Sequence, residues 1–326
     1  MPQSIDIAIT NLTSVPVLVF ILGFLAARTI ADVSIPDAIY QFLSIYLLFG
    51  IGLKGGHALK HVTFSEILRP SLITLLLGVL IPFIAFYLLK SIKNLQDIDR
   101  GSIAAHYGST SLVTFSAALL ILESNKIAVE GFAPTLLTIM EIPGLVVGIF
   151  LATRSAIKVG GKSDVHWRET FQEIILGKTV LLLVGGLIIG AITSDAGYDK
   201  VSPFFVNLLN GFLSIFLLQI GFMAGKNFHQ IRAVGSGMIL FAVIFPILAG
   251  FLGAVGGTVV GLSIGGTTAL AVLCASASYI AAPAAVAIAL PNAKNSLAIT
   301  CSIGLTFPFN LIIGIPLYEN FARLLS

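Results

Sequence analysis

The residues best equipped for chemistry lie in one run, His106-Tyr107-Gly108-Ser109-Thr110-Ser111-Leu112-Val113-Thr114-Phe115, a polar stretch set between apolar ones. Gly108 followed by three hydroxyl residues predicts a helix break, with Ser109 or Thr110 as the N-cap of a new half-helix running from Ser111 to Leu122. Such a start presents free backbone N–H groups and the positive end of a helix dipole, which together suit an anion. A second run, Ser276-Ala277-Ser278-Tyr279, stands at the matching place in the other half of the chain and ends on Pro283. Proline frees a carbonyl and keeps the backbone before it out of regular helix, so this stretch offers oxygen ligands to a cation; a simple kink in a packed helix is the alternative. Glu141 is the acidic residue deep in an apolar segment, where a carboxylate is costly and marks a cation ligand, Na⁺ for instance, or a proton acceptor. Asn310 stands at the symmetric position as a neutral oxygen donor or an inter-helix bond, and Thr114, Thr138 and Thr306 are the hydroxyls that could complete an oxygen cage.

The composition says what must position these residues. Of the 326 residues 57% are hydrophobic and only 10% charged, so the chain reads as an all-α polytopic membrane protein. Its net charge of +3 is too small for a nucleic-acid surface. The first fourteen residues lack a basic region ahead of the apolar run, so no cleavable signal peptide is expected. Cys274 and Cys301 lie in apolar surroundings without metal or redox spacing and read as small packing residues. His57 and His61 are spaced i, i+4 without a third ligand nearby, which reads as a solvated helix end.

An enzyme fits poorly. Gly108-Ser109-Thr110-Ser111 lacks the Gly-x-Ser-x setting of a membrane serine protease, and no pair of aspartates lies inside an apolar segment.

Apolar length and polar punctuation predict ten membrane segments, over residues 13–30, 37–57, 66–90, 101–123, 131–153, 173–193, 203–225, 233–260, 265–289 and 296–321. They fall into a first five-helix repeat over 1–153, a linker over 154–172 and a second repeat over 173–326. With the N-terminus outside, twelve of the 18 Lys and Arg residues fall in inward-facing connections, among them Arg154, Lys158, Lys162 and Arg168 of the linker. That bias predicts a cytoplasmic linker and both termini outside the plasma or inner membrane.

The halves repeat at an offset of about 164 to 169 residues. Ile51-Gly52-Leu53-Lys54-Gly55-Gly56 answers Ile220-Gly221-Phe222-Met223-Ala224-Gly225, Pro82 answers Pro246, the Ser109–Ser111 break answers Ser276–Ser278, and Glu141 answers Asn310. Five crossings per unit force the second unit upside down, an inverted repeat, which brings the breaks of segments four and nine to one depth from opposite faces.

The run His106 to Phe115, with Glu123-Ser124-Asn125-Lys126, Glu141-Ile142-Pro143, Ser276-Ala277-Ser278-Tyr279-Ile280-Ala281-Ala282-Pro283-Ala284-Ala285 and Thr306-Phe307-Pro308-Phe309-Asn310, resembles the sodium-dependent bicarbonate permease family over nearly the whole chain. The resemblance implies a homotrimer. In each protomer segments one, two, six and seven would form a gate and the rest a mobile core, with bicarbonate and Na⁺ bound between broken helices four and nine. It also implies a PII-like regulator on the cytoplasmic side. The chain departs from the family pattern in having Val286-Ala287 where relatives tend to carry an Arg, and in its short linker.

The reading is therefore Na⁺-coupled symport of bicarbonate, with Gly108, Ser109, Thr110, Ser111, Ser276, Ala277, Ser278 and Tyr279 on the anion. Glu141, Asn310, Thr114, Thr138 and Thr306 would lie around the cation. A permease for another small oxyanion or carboxylate, driven by Na⁺ or H⁺, and a non-transporting anion sensor are the alternatives.

Overall fold

A computed structural model describes residues 12–30, 33–93, 95–158 and 166–326, and among them it contains helices and no strand. The helices are α1 (Val15–Ala26), α2 (Asp37–Leu59), α3 (Phe64–Leu89), α4 (Asp97–Gly108), α5 (Leu112–Ser124), α6 (Ala133–Lys158) and α7 (Trp167–Leu176). They continue as α8 (Lys178–Ile192), α9 (Asp195–Lys226), α10 (Ser236–Val259), α11 (Ile264–Ala275), α12 (Ala282–Ala289) and α13 (Asn295–Leu325). Two of the long helices carry π-helical stretches, over Pro203–Asn207 in α9 and over Ser302–Thr306 and Asn310–Gly314 in α13.

Seven helical spans are long and apolar enough to cross a membrane among the described residues, or eight if α7 and α8, bent by 45° at their junction, count as one. Two of the ten expected segments hold shorter apolar helices. α1 and α11 are each 12 residues long, below the roughly 20 that a full crossing needs. The expected linker over 154–172 is helical at both ends, since α6 runs on to Lys158 and α7 begins at Trp167; its residues 159–165 lie outside the described ones.

Glycines set how closely these helices approach, because lipid-exposed helices gain by packing backbone on backbone rather than by burying apolar surface from water. α2 lies along α8, where a Cβ on Gly52 would meet the Leu183 carbonyl oxygen at 2.6 Å and one on Gly56 the Leu187 oxygen at 2.0 Å. α1 lies along α9 in the same way, with Gly23 against the Leu218 carbonyl and Gly221 against that of Phe20. α4 lies along α6, with Gly148 against the Ala105 backbone and Gly144 against Gly108. In the second half α10 packs on α11 and α13, where Gly253 lies against Ala271 and Gly250 against the ring of Tyr318.

Two carboxylates tie helix ends together. Glu130 accepts from the Ser263 amide at 2.6 Å and from its hydroxyl at 3.1 Å, just ahead of α11. Asp99, buried at 3% exposure in the first turn of α4, accepts from the Lys294 amide at 2.7 Å, just ahead of α13. His57, at the last turn of α2, stacks on Tyr198 with ring centroids 3.7 Å apart, beside a Lys60–Asp195 ion pair at 3.1 Å, so it belongs to a packed helix end rather than a solvated one. No group of three or more His, Cys, Asp or Glu among the described residues could hold a metal ion.

Candidate functional site: two broken helices that clasp

The first break follows from packing on both sides of Gly108. A Cβ there would meet the ring of Pro82 on α3 at 2.7 to 2.9 Å, and Gly144 of α6 presses on the Gly108 carbonyl from the other side. The chain then leaves the helix: Ser109 is extended at φ −87°, ψ 156°, and Ser111 at φ −111°, ψ 112°. Ser111 is the N-cap of α5, its hydroxyl accepting from the Thr114 amide at 3.3 Å. The cap expected at Ser109 or Thr110 is thus one or two residues further on, because α4 runs through Gly108 and the chain needs all three hydroxyl residues to turn.

The second break spans Ser276 to Ala281 between α11 and α12, and the two breaks bond each other. The Ser276 hydroxyl accepts from the Ser111 amide at 2.9 Å and lies 3.1 Å from the Thr110 hydroxyl. The Ser278 amide donates to the His106 carbonyl at 2.7 Å, and the Ser278 hydroxyl accepts from the Ala282 amide at 3.2 Å. The Asn310 amide nitrogen donates to the Ala275 carbonyl at 2.8 Å. Groups that helix ends leave without an intrahelical partner are thereby satisfied across the crossing. The Leu112 and Val113 amides, in the first turn of α5, are the donors a helix start cannot bond for itself.

Around this clasp is a small buried chamber of about 10 Å³, lined by Thr110, Ser111, Glu141, Ser278 and Tyr279, with Leu48 of α2 and Thr179 of α8 facing them. Glu141 is 2% exposed, and its carboxyl lies beside the Ser109 hydroxyl, which closes no hydrogen bond of good geometry. The Tyr279 hydroxyl stands in the same relation to Ser111. Both are buried hydroxyls, but of the two only Tyr279 lines the chamber; Ser109, expected on the anion, lies behind it beside Glu141.

The expected residues separate into two groups. Thr110, Ser111, Ser278, Tyr279 and Glu141 line the chamber, while Gly108, Ser276 and the buried Ala277 build the crossing behind it. Asn310, besides holding Ala275, accepts from the Tyr318 hydroxyl at 2.7 Å. Thr306 donates to the Ala242 carbonyl at 2.8 Å and lies 2.7 Å from the Tyr107 hydroxyl, and Thr138 bonds back to Pro134 of its own helix at 3.0 Å. Thr114 contributes the capped amide. None of these four lines the chamber. Thr179 and Leu48 were not singled out by the sequence; a lone Thr directly after the Gly177-Lys178 pair was the available signal.

A multi-pass helical protein in which two interrupted helices cross at a buried polar chamber has the build of a membrane transporter. A family model described as the Na⁺-dependent bicarbonate transporter superfamily matches residues 16–323, nearly the whole chain, and the protein belongs to that superfamily. It is a Na⁺-dependent bicarbonate transporter by family, and not an enzyme. No curated protein matches the chain.

Proposed function

We propose that the protein carries bicarbonate into the cell by Na⁺-coupled symport and that the chamber at the crossed breaks is where both are bound. The observation that carries this reading is the convergence of a capped helix start at Ser111, the Tyr279 and Ser278 hydroxyls and the buried Glu141 on one small volume. The anion lies against the first-turn amides of α5 with Ser111, Ser278 and Tyr279, where N–H groups and the helix dipole both favour negative charge. The cation lies against Glu141 with the Ser109 hydroxyl, a hard oxygen set suited to a hard ion. Asn310, Thr306, Thr138 and Thr114 act one layer out, holding the backbone that frames the cation.

The mechanism proposed is an elevator, in which α3–α6 and α10–α13 move as a core against a gate of α1, α2, α8 and α9. The glycine seams within each group support it, because backbone-to-backbone packing makes each group stiff. Ten crossings arranged as an inverted repeat of five and five belong to the same proposal. The paired carboxylate ties support it: Ser263 follows Asp99, and Lys294 follows Glu130, by the same 164 residues (263 minus 99 and 294 minus 130), and each pair is joined by a carboxylate on a backbone amide. A homotrimer, the gate and core assignment and a PII-like partner at the linker rest on the family resemblance.

Uptake of labelled bicarbonate into proteoliposomes, with and without a Na⁺ gradient, tests the function. Ser111→Ala and Ser278→Ala should each weaken apparent bicarbonate affinity by roughly ten to a hundredfold, the equivalent of about 1.5–3 kcal/mol for a hydrogen bond to a buried charged group. Wild-type affinity in both variants would place the anion elsewhere. For the topology, single cysteines introduced at Gly160 and Lys200 should react with an impermeant reagent from opposite sides of the membrane, the former from the cytoplasm. Reaction from one side would overturn the ten-segment inverted arrangement.

A further inference from the structure

The chamber has a larger neighbour. A cleft of about 230 Å³ adjoins it at the bend between α7 and α8, and the two volumes share Thr179 and Ile280 in their walls. The bend is made by Gly177, extended at φ −60°, ψ 152°. A Cβ on it would lie 2.2 Å from the Glu173 carbonyl oxygen, so the turn that opens the cleft needs glycine. One wall is the bend itself, with Glu173, Lys178 and Thr179; the other is the start of α12 after the second break, with Ala281, Ala284 and Ala285. Small side chains on that second wall keep the cleft wide. Its two ionisable residues, Lys178 and Glu173, carry one charge of each sign, so the cleft repels neither a monoanion nor a monovalent cation outright.

The volumes differ by more than tenfold at a boundary made of one isoleucine and one threonine. We propose that this cleft is the leg of the transport route joining the binding chamber to the membrane face that carries the 154–172 linker, with Ile280 and Thr179 as the constriction between them. Ile280 closes it from the break, and Thr179 offers a hydroxyl from the facing helix to a small oxyanion in passage. The inference rests on the Na⁺-coupled transport reading given above.

The test is a cysteine placed in the cleft wall, Ala284→Cys, with Ala281→Cys as a second position; the native Cys274 and Cys301 are buried at 1% and 0% exposure and out of reach of a charged reagent. In proteoliposomes, a negatively charged methanethiosulfonate added from the linker side should cut Na⁺-driven uptake of labelled bicarbonate by at least about tenfold in a variant that transports before labelling. A reductant should restore it, because the plug is then removed from a folded protein. Na⁺ with bicarbonate should slow the modification. Ile280→Trp, which overfills the constriction, should lower the maximal uptake rate by about tenfold or more. Full modification of both cysteine variants with uptake unchanged, or wild-type turnover by Ile280→Trp, would overturn the route while leaving symport intact. Absence of Na⁺-driven uptake by the unsubstituted protein would overturn both.

Discussion

Replacing Gly144 with alanine is expected to abolish bicarbonate uptake although it adds one methyl group. A Cβ at this position would lie 2.0 Å from the Gly108 carbonyl carbon, 2.1 Å from its oxygen and 2.3 Å from the Ser109 nitrogen. These are backbone atoms of the first break, in a segment that also packs at Gly108 against the ring of Pro82, so they cannot swing aside as a flexible side chain could. Overpacking of this kind costs about 1–3 kcal/mol and occasionally more. The displacement would fall on the segment that carries Ser109, Thr110 and Ser111, and with it the clasp to Ser276. A shift of about 1 Å in a binding constellation is enough to lose roughly a hundredfold in rate. Gly211→Ala is the matched control, since nothing lies within 4 Å of its added Cβ, and it should transport as the unsubstituted protein does. Uptake by Gly144→Ala equal to that control would show that the α4–α6 seam yields freely and that the break is not fixed by it.

Glu141→Gln is expected to leave a folded protein that has lost its response to sodium. Glutamine keeps an oxygen ligand and nearly the same volume but removes the negative charge from a side chain only 2% exposed. Removing one partner of a buried ion pair costs about 3–5 kcal/mol, so the apparent affinity for Na⁺ should fall by about a hundredfold or more. Uptake driven by a Na⁺ gradient should collapse while anion exchange, which needs only the anion half of the chamber, continues at high bicarbonate. If Glu141 instead carries a proton, uptake by the unsubstituted protein will follow the pH gradient and ignore sodium. Measuring both proteins across a grid of pH and Na⁺ separates the outcomes, and proton-driven uptake without Na⁺ would sink the sodium assignment.

The breaks were legible in the sequence because membrane helices have few reasons to hold Gly108 and three hydroxyl residues together, and because Ser276 and Ser278 recur at nearly the offset of the other paired motifs. The cap was misplaced because any of three consecutive hydroxyls can cap, and the choice is made by where α4 ends, which depends on Pro82 and Gly144 far off in sequence. Asn310 shows a related limit. An amide at membrane depth reads equally as a ligand or as a helix bond, and only the fold shows it joined to Ala275 and Tyr318. Thr179 was invisible for the opposite reason, since one threonine in an apolar helix looks like packing until another element is seen to face it. Segment ends drifted because apolar length marks the membrane rather than the helix: α6 continues into polar residues as far as Lys158, while α1 stops at Ala26, just ahead of the polar Arg28 and Thr29 that the expected segment ran through.

The chamber, at about 10 Å³, has room for roughly one water molecule, and bicarbonate is larger than that. On the proposal that this chamber is the binding site, the conformation described is closed to bicarbonate, and a more open form must accept the anion. When only a fraction of molecules is competent, the apparent dissociation constant is the intrinsic one divided by that fraction. A competent fraction of about one in a hundred would make a tight site look roughly a hundredfold weaker. Any ligand that prefers the open form raises the fraction and so strengthens the other ligand's binding, even if the two never touch. Sodium and bicarbonate can thus be thermodynamically linked through the opening of the crossed helices alone, and the linkage must be reciprocal: the factor by which Na⁺ tightens bicarbonate is the factor by which bicarbonate tightens Na⁺.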